Sequence, residues 1–122
     1  MAMFWLQGES DTSKAKTANA YLSNFKNLIT KLREDLQSPG LPVIASPVVW
    51  HGKKVEAVNA SLRKAADAEV PNCFCIEELD RTEFGVQNED AAVCAGHLTP
   101  EGLCEIGTRM GEVVPLLETE RN

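Results

Sequence analysis

The sequence predicts an α/β protein built on a parallel sheet with helices covering both of its faces. Short, fully apolar runs occur in "MAMFWL" (1–6), "PVIASPVV" (42–49) and "NCFCIEEL" (72–79), as in strands that are buried on both sides. Segments with helical periodicity separate and follow these runs. The first run ends in "QGESD" (7–11), a polar loop around a glycine, and such loops gather ligands and catalytic groups at the carboxyl edge of open α/β sheets.

Composition indicates one domain spanning 1–122, because 43% of its 122 residues are apolar and a core of useful size can form. The net charge is −6, and the lysines and arginines are scattered without a basic face. Binding to nucleic acid or to an anionic membrane is therefore not expected. No apolar run has the length of a membrane span, and 1–6 lacks the features of a signal peptide, so the chain as written is expected to be cytoplasmic. A longer parent would be compatible with secretion.

The first half of the chain predicts strand, helix, strand. Ser10 to Ser13 offer N-caps for a helix over 14–36, whose sheet-facing stripe is predicted to be Tyr21, Phe25, Leu28, Leu32 and Leu36. "SPGLP" (38–42) ends that helix, and the second strand is expected to end near Ser46 because Pro47 follows.

The second half predicts helix, strand, loop, helix. A helix over 54–68 presents Val55, Val58, Leu62, Ala65 and Ala66, and the third strand follows. Residues 80–96 are predicted to form a long acidic loop. The last helix begins with Thr99 as N-cap and Pro100 at the first helical position. Its apolar stripe is Leu103, Ile106, Met110 and Val114, and Gly107 with Gly111 predicts a close approach to the sheet.

The four cysteines are interpreted as reduced thiols, since the chain has no export signal. Cys73 and Cys75 alternate with Phe74 and should point to one face of a strand as small apolar side chains. The alternative is a structural zinc held by this pair together with Cys94 and His97, although the pairs lie on different elements and lack the usual knuckle spacing. No metal or cofactor is expected.

Two motifs in order carry a family resemblance: "WLQGESDT" (5–12) and "GHLTPEGLCEIGTRMGEVV" (96–114), separated by a matching strand and helix pattern. They resemble the later part of the sialate O-acetylesterase-like carbohydrate esterases of the SGNH (GDSL-type) hydrolase superfamily. The resemblance implies a three-layer α/β/α flavodoxin-like fold whose first strands are missing from this chain. It also implies cofactor-free, serine-based hydrolysis of an acetylated carbohydrate.

Carried over to this sequence, the family pattern places Gln7 and Gly8 in the oxyanion loop, with Glu9 and Ser10 shaping it. His97 is the implied general base, close to the N-terminus of the helix capped by Thr99, where the helix dipole favours a neutral imidazole. None of the serines stands in the family's nucleophile context. The position of the family's aspartate, three before the histidine, is Cys94, and Asp90 is the nearest substitute at a different spacing.

Without the first two strands, the opening strand (2–6) is expected to be an exposed apolar edge. The chain is then expected to form a homodimer through this edge or to pair there with a missing upstream segment. Two functions from different classes remain: a truncated esterase that lacks its nucleophile block, and a non-catalytic carbohydrate-binding or interaction domain. His51 is interpreted as a surface histidine, and Trp5 and Trp50 as core or pocket-edge residues.

Overall fold

Three short parallel strands form the centre of the fold in a computed structural model that describes residues 1–49, 53–84 and 98–119, apart from the side chains of 118 and 119. They are β1 (Met3–Trp5), β2 (Val43–Ala45) and β3 (Cys73–Cys75), in the order β1-β2-β3. The register aligns Met3 with Val43 and Val43 with Cys73. Successive residues of a strand point to opposite faces, so each aligned row of three residues belongs to one face of the sheet.

One face of the sheet is covered by α1 (Ala15–Asp35) and α2 (Val55–Lys64), which continues as a π-helical turn (Ala65–Glu69). We call it the α1/α2 face. Its core joins α1 and α2 to all three strands, with Met3, Trp5 and Cys75 packed at its margin. Both crossovers run on the same side of the sheet and therefore share one hand, the arrangement that parallel β-α-β units adopt.

The opposite face, which we call the α4 face, is covered by α4 (Pro100–Thr119) and the short α3 (Arg81–Phe84). Its buried residues come from β2, from the segments that follow β2 and β3, and from α4, and are Ile44, Val49, Ile76, Leu79, Ile106, Met110 and Leu117. The predicted three-layer parallel α/β architecture is confirmed.

The first helix was predicted within one residue at each end, but its buried stripe differs. Ala18, Tyr21, Phe25 and Ile29 are buried, whereas Leu28 is 42% exposed and Leu36 is 50% exposed. Tyr21 and Phe25 fix a stripe that continues by i+4 to Ile29, and the predicted i+3 step to Leu28 turns away from the sheet. Ser10–Ser13 form a 3-10 turn, and no side chain caps α1.

The second strand ends near Ser46 as predicted, yet the apolar run that follows stays buried. Pro47 has no N–H for a ladder, and the backbone of Val48 bonds to a side chain instead. Asn59 Oδ1 accepts from Val48 N at 2.7 Å, and Asn59 Nδ2 donates to Val48 O at 3.0 Å. This amide takes the place of a neighbouring strand and fixes the loop after β2.

Two predictions for α4 are wrong. Leu103 is 54% exposed, because the buried stripe runs through Ile106, Met110 and Leu117. Gly107 and Gly111 make no close approach, since a Cβ at either position would meet nothing within 4 Å. The glycine that is closely packed is Gly102, whose Cβ would lie 3.0 Å from Phe84 Cβ.

The predicted loop from Asp80 onward begins with a helix instead. Asp80 Oδ1 accepts from Thr82 N at 2.8 Å, which places the carboxylate at the start of α3, and the hydrogen bonds from Thr82 hold the pKa of Asp80 below its usual value. The rest of that loop, Trp50 and His51 lie outside the described residues. Within the described helices, none is long and apolar enough to cross a membrane.

A candidate active-site loop at the carboxyl ends of the strands

Residues 7–13 leave the carboxyl end of β1 and lie beside the loop that leaves β2. The contact is made at Gly8, which is buried. A Cβ at this position would lie 3.0 Å from Val48 Cγ2, 3.1 Å from Val58 Cγ1 and 3.2 Å from Tyr21 Cε2. The φ angle of Gly8 is +138°, a conformation that residues with a Cβ rarely adopt. Glycine is required here for both reasons, so the backbone can approach the core and turn at once.

Hydrogen bonds hold this loop from several elements. Tyr21 Oη donates to Gln7 O at 2.9 Å, and Thr12 Oγ1 donates to Glu9 O at 2.6 Å. Thr17 Oγ1 donates to Asp11 O at 2.9 Å. Lys54 N, at the start of α2, donates to Thr12 O at 3.1 Å. We call residues 7–13 the site loop. Its hydrogen bonds fix its backbone at the edge of the sheet, and a fixed backbone is what preorganised electrostatic catalysis requires.

The predicted oxyanion-loop residues lie together in this loop. The exposed side chain of Gln7 donates from Nε2 to Asp11 Oδ2 at 3.0 Å, so its amide serves the loop itself. Ser10 O accepts from Ser13 Oγ at 2.8 Å within the 3-10 turn. Glu9 and Ser10 thus shape the turn through their backbone carbonyls, while the catalytic roles of these residues stay predictions.

Three other predicted site residues, Asp90, Cys94 and His97, lie outside the described residues. The structure begins again at Leu98, and the predicted N-cap is present: Gly102 N donates to Thr99 Oγ1 at 3.1 Å. Thr99 N donates to Phe84 O at 2.9 Å, which ties the start of α4 to α3. The helix that follows position 97 in the chain is therefore capped as predicted, and its contact with α3 is an additional anchor.

The cysteines of β3 have the predicted arrangement. Cys73 is buried and Cys75 partly buried on the α1/α2 face, and both are free thiols. Burial raises the pKa of each thiol to about 11, so both stay protonated at neutral pH and are poor nucleophiles and metal ligands. Within 1–49, 53–84 and 98–119 no cluster of ligand residues suited to a metal occurs. The zinc alternative depends on Cys94 and His97 and is not tested there.

The roles of two residues near the site were not predicted. Asn59, which holds the loop after β2, is fully buried, and a polar residue in the helical segment that carries Val58 and Leu62 is a signal that the sequence does carry. Tyr21 was predicted to face the sheet, but its hydrogen bond to Gln7 depends on how α1 docks and leaves no trace in the sequence.

A parallel α/β sheet with a rigid glycine loop at the carboxyl ends of its strands defines an α/β protein of the flavodoxin-like kind, with a site where such folds place catalytic groups. The family model for carbohydrate esterases described as sialic acid-specific acetylesterases matches residues 1–115, and the chain belongs to this family.

Known relatives agree in sequence and in structure. A probable carbohydrate esterase of Arabidopsis thaliana is 27% identical over 111 residues, which are 91% of this chain and 38% of that protein. An X-ray structure of a protein from Arabidopsis thaliana matches with a TM-score of 0.70 and 28% identity, covering 92% of this chain and 42% of the other. The chain spans about two fifths of the length of these relatives.

Proposed function

We propose that this chain forms the oxyanion and general-base part of a serine carbohydrate O-acetylesterase, whose nucleophile comes from a segment outside the chain. The observation that carries the proposal is Gly8, fixed by close packing and a positive φ angle at the carboxyl end of β1. Within the family, this is the loop that the resemblance assigns to oxyanion stabilisation.

In the proposed reaction, a serine Oγ attacks the acetyl carbonyl carbon while His97 takes the hydroxyl proton. The negative oxygen of the tetrahedral intermediate accepts a hydrogen bond from the Gly8 N–H. The intermediate collapses, the proton passes from His97 to the leaving sugar oxygen, and an acetyl-enzyme remains. Water, deprotonated by His97, then releases acetate and restores the serine.

His97 lies two positions before the N-cap of α4 in the chain. The positive end of a helix dipole disfavours the imidazolium ion, which keeps a base neutral and ready near pH 7. The residue three before it is Cys94, and a neutral thiol stabilises an imidazolium poorly. We therefore expect Cys94→Asp to raise kcat about tenfold or more, since replacing the aspartate of such a triad lowers kcat by about 10⁴.

We further propose that the open side of β1 pairs with another strand. Met3 N donates to Pro42 O at 2.8 Å and Trp5 O accepts from Ser46 N at 3.0 Å, so these two residues face β2. By the alternation of a strand, the N–H and C=O of Phe4 point to the other side. Residues 1–6 contain no charge or proline that would block pairing. Either an upstream segment or a second copy of the chain fits this edge.

The first experiment is the intact mass of the native protein in cytosolic and secreted fractions of its source cells, with sequencing of the 5′ end of its transcript. A longer product with a Gly-x-Ser block before Met1 supplies the nucleophile and the missing strand together. A product that begins at Met1 and is monomeric in sedimentation contradicts both parts of the proposal.

The second experiment measures acetate release from an O-acetylated sugar by that native product and by His97→Ala. We expect the variant to lose a factor of at least about 10² in kcat, the usual contribution of a general base. His51→Ala is the matched control and should retain full activity. Equal rates for His97→Ala and the wild type exclude His97 as the base. Saturable sugar binding without turnover indicates a binding domain instead.

A further inference from the structure

Tyr21 connects the core to the site loop through one hydroxyl. Trp5 Nε1 donates to Tyr21 Oη at 3.0 Å, and Tyr21 Oη donates to Gln7 O at 2.9 Å. An indole nitrogen is only a donor, so the tryptophan occupies an acceptor site of the hydroxyl and the single phenolic proton goes to Gln7. The direction of both hydrogen bonds is therefore fixed by chemistry.

The surroundings of Tyr21 leave its ring little freedom. The residue is 4% exposed, and its ring stacks on Phe25 with 6.3 Å between centroids. The ring of Trp5 packs on the same Phe25 at 5.6 Å. Burial also raises the pKa of Tyr21 to about 12, so the hydroxyl keeps its proton at any pH at which an esterase works.

The carbonyl that Tyr21 holds belongs to the peptide unit that carries the Gly8 N–H. In a trans peptide, the C=O and the N–H point in opposite directions. Because the C=O is directed at Tyr21 on α1, the N–H is directed away from that helix. Among the residues that the structure describes, none accepts a hydrogen bond from Gly8 N. The donor is thus oriented by Tyr21 and has no acceptor among the described residues.

We propose that Tyr21 is a positioning residue whose hydroxyl sets the direction of the Gly8 N–H. This inference rests on the proposed function for its catalytic meaning, because the donor is the one assigned to the oxyanion. The orientation itself is independent of any activity. Trp5 is the second residue of this arrangement, since its indole N–H donates to the Tyr21 hydroxyl and fixes its orientation.

The test is Tyr21→Phe, which removes one oxygen and keeps the ring. In the native product that the first experiment identifies, we expect kcat to fall about 10-fold to 100-fold. This fall does not exceed the effect of removing an oxyanion donor altogether. KM should stay within about twofold, since the hydroxyl touches no substrate. The pH profile should keep its midpoints. The control is Ser61→Ala, which removes an exposed hydroxyl that donates to Ala57 O on α2, away from the site loop, and should leave kcat within about twofold.

A second readout needs no activity. With the chain labelled with ¹³C and ¹⁵N, the carbonyl carbon of Gln7 should shift upfield in Tyr21→Phe, because it loses a hydrogen bond, and the Gly8 amide should shift with it. Ser61→Ala should leave both signals in place. If Tyr21→Phe does not fold, Trp5→Phe keeps the hydroxyl but frees it, and should give smaller changes of the same sign.

These two readouts separate the inference from the proposed function. A native enzyme without esterase activity contradicts the proposed function, while the carbonyl signal still tests the orientation. An active enzyme in which Tyr21→Phe retains kcat overturns the positioning role. Unchanged Gln7 and Gly8 signals overturn the orientation itself.

Discussion

The two faces of the sheet are covered to different extents, and a single aligned row shows the difference. On the α1/α2 face, Val43 and Ala45 are fully buried and residues of β1 and β3 pack around them. On the α4 face, Ile44 is fully buried, while its neighbour Phe4 in the same row is 54% exposed. Coverage by α4 stops before it reaches β1. The first strand is therefore held by one face and one neighbouring strand, and the site loop that leaves it depends on the α1/α2 face.

The largest expected effect contrasts two residues of that row. Ile44→Ala should lower the free energy of unfolding by about 4 kcal/mol, because it removes a fully buried side chain from a packed core. Phe4→Ala should cost less than about 1 kcal/mol, since the ring is half exposed. Urea unfolding of both variants measures the difference. Similar costs would mean that a partner buries the Phe4 ring in solution. A strand that pairs with β1 would do so if it also covered the α4 face.

The next effect concerns the loop after β2. Asn59→Ala leaves the N–H and the C=O of Val48 without their partner in the core, and we expect a loss of about 3 kcal/mol. Ser61→Ala is the control on the same helix, because the exposed Ser61 Oγ donates only to Ala57 O. That variant should stay within about 0.5 kcal/mol of the wild type. A small effect for Asn59→Ala would show that the loop after β2 finds other partners.

Two glycines give a third contrast between the faces. Gly8→Ala should destabilise the protein by about 2 kcal/mol, because its Cβ meets Val48 and Val58 and the φ angle of +138° is strained. Gly107→Ala on α4 should stabilise it by about 0.5 to 1 kcal/mol, since the position is exposed and alanine favours a helix. Thermal melting of both variants checks the opposite signs. A stabilised Gly8→Ala variant would contradict the packing described for the site loop.

The sequence predicted what depends on short-range pattern, and missed what depends on docking. Local rules account for the helix start at Thr99 and Pro100 and for the end of β2 before Pro47. They also account for Cys73 and Cys75 pointing to the same face of the sheet. The predicted buried stripe of α1 was wrong by one residue at Leu28, because Leu28 and Ile29 both follow Phe25 at a helical spacing. The spacing of Gly107 and Gly111 predicted a close approach to the sheet, but only the tertiary structure decides whether such an approach occurs. The loop around Gly8 was located from its motif, but the hydrogen bonds of Tyr21 to this loop and of Asn59 to the neighbouring loop after β2 form only when α1 and α2 are in place.

The smallest expected effect lies on the outside of the α1/α2 face. Lys26 on α1 forms an ion pair of 2.5 Å with Glu69 in the turn after α2, and this hydrogen bond, with the charge of Lys26, lowers the pKa of Glu69 from its usual value. A carboxyl whose folded pKa is depressed stabilises the fold above its unfolded pKa, and the stabilisation is lost as the pH falls through the folded value. Both side chains are partly exposed, so the effect is small.

Lys26→Met should therefore lower the melting temperature slightly at pH 7, and the difference from the wild type should shrink as the pH falls through the lowered pKa of Glu69. Glu69→Gln removes the titrating group and serves as the control, because adding Lys26→Met to it should change the pH dependence no further. A difference that stays constant down to pH 3 would assign the effect to packing of the lysine stem. In that case, the contact of Lys26 with the turn after α2 would be apolar, and the link that it makes between the helices that carry Tyr21 and Asn59 would be independent of pH.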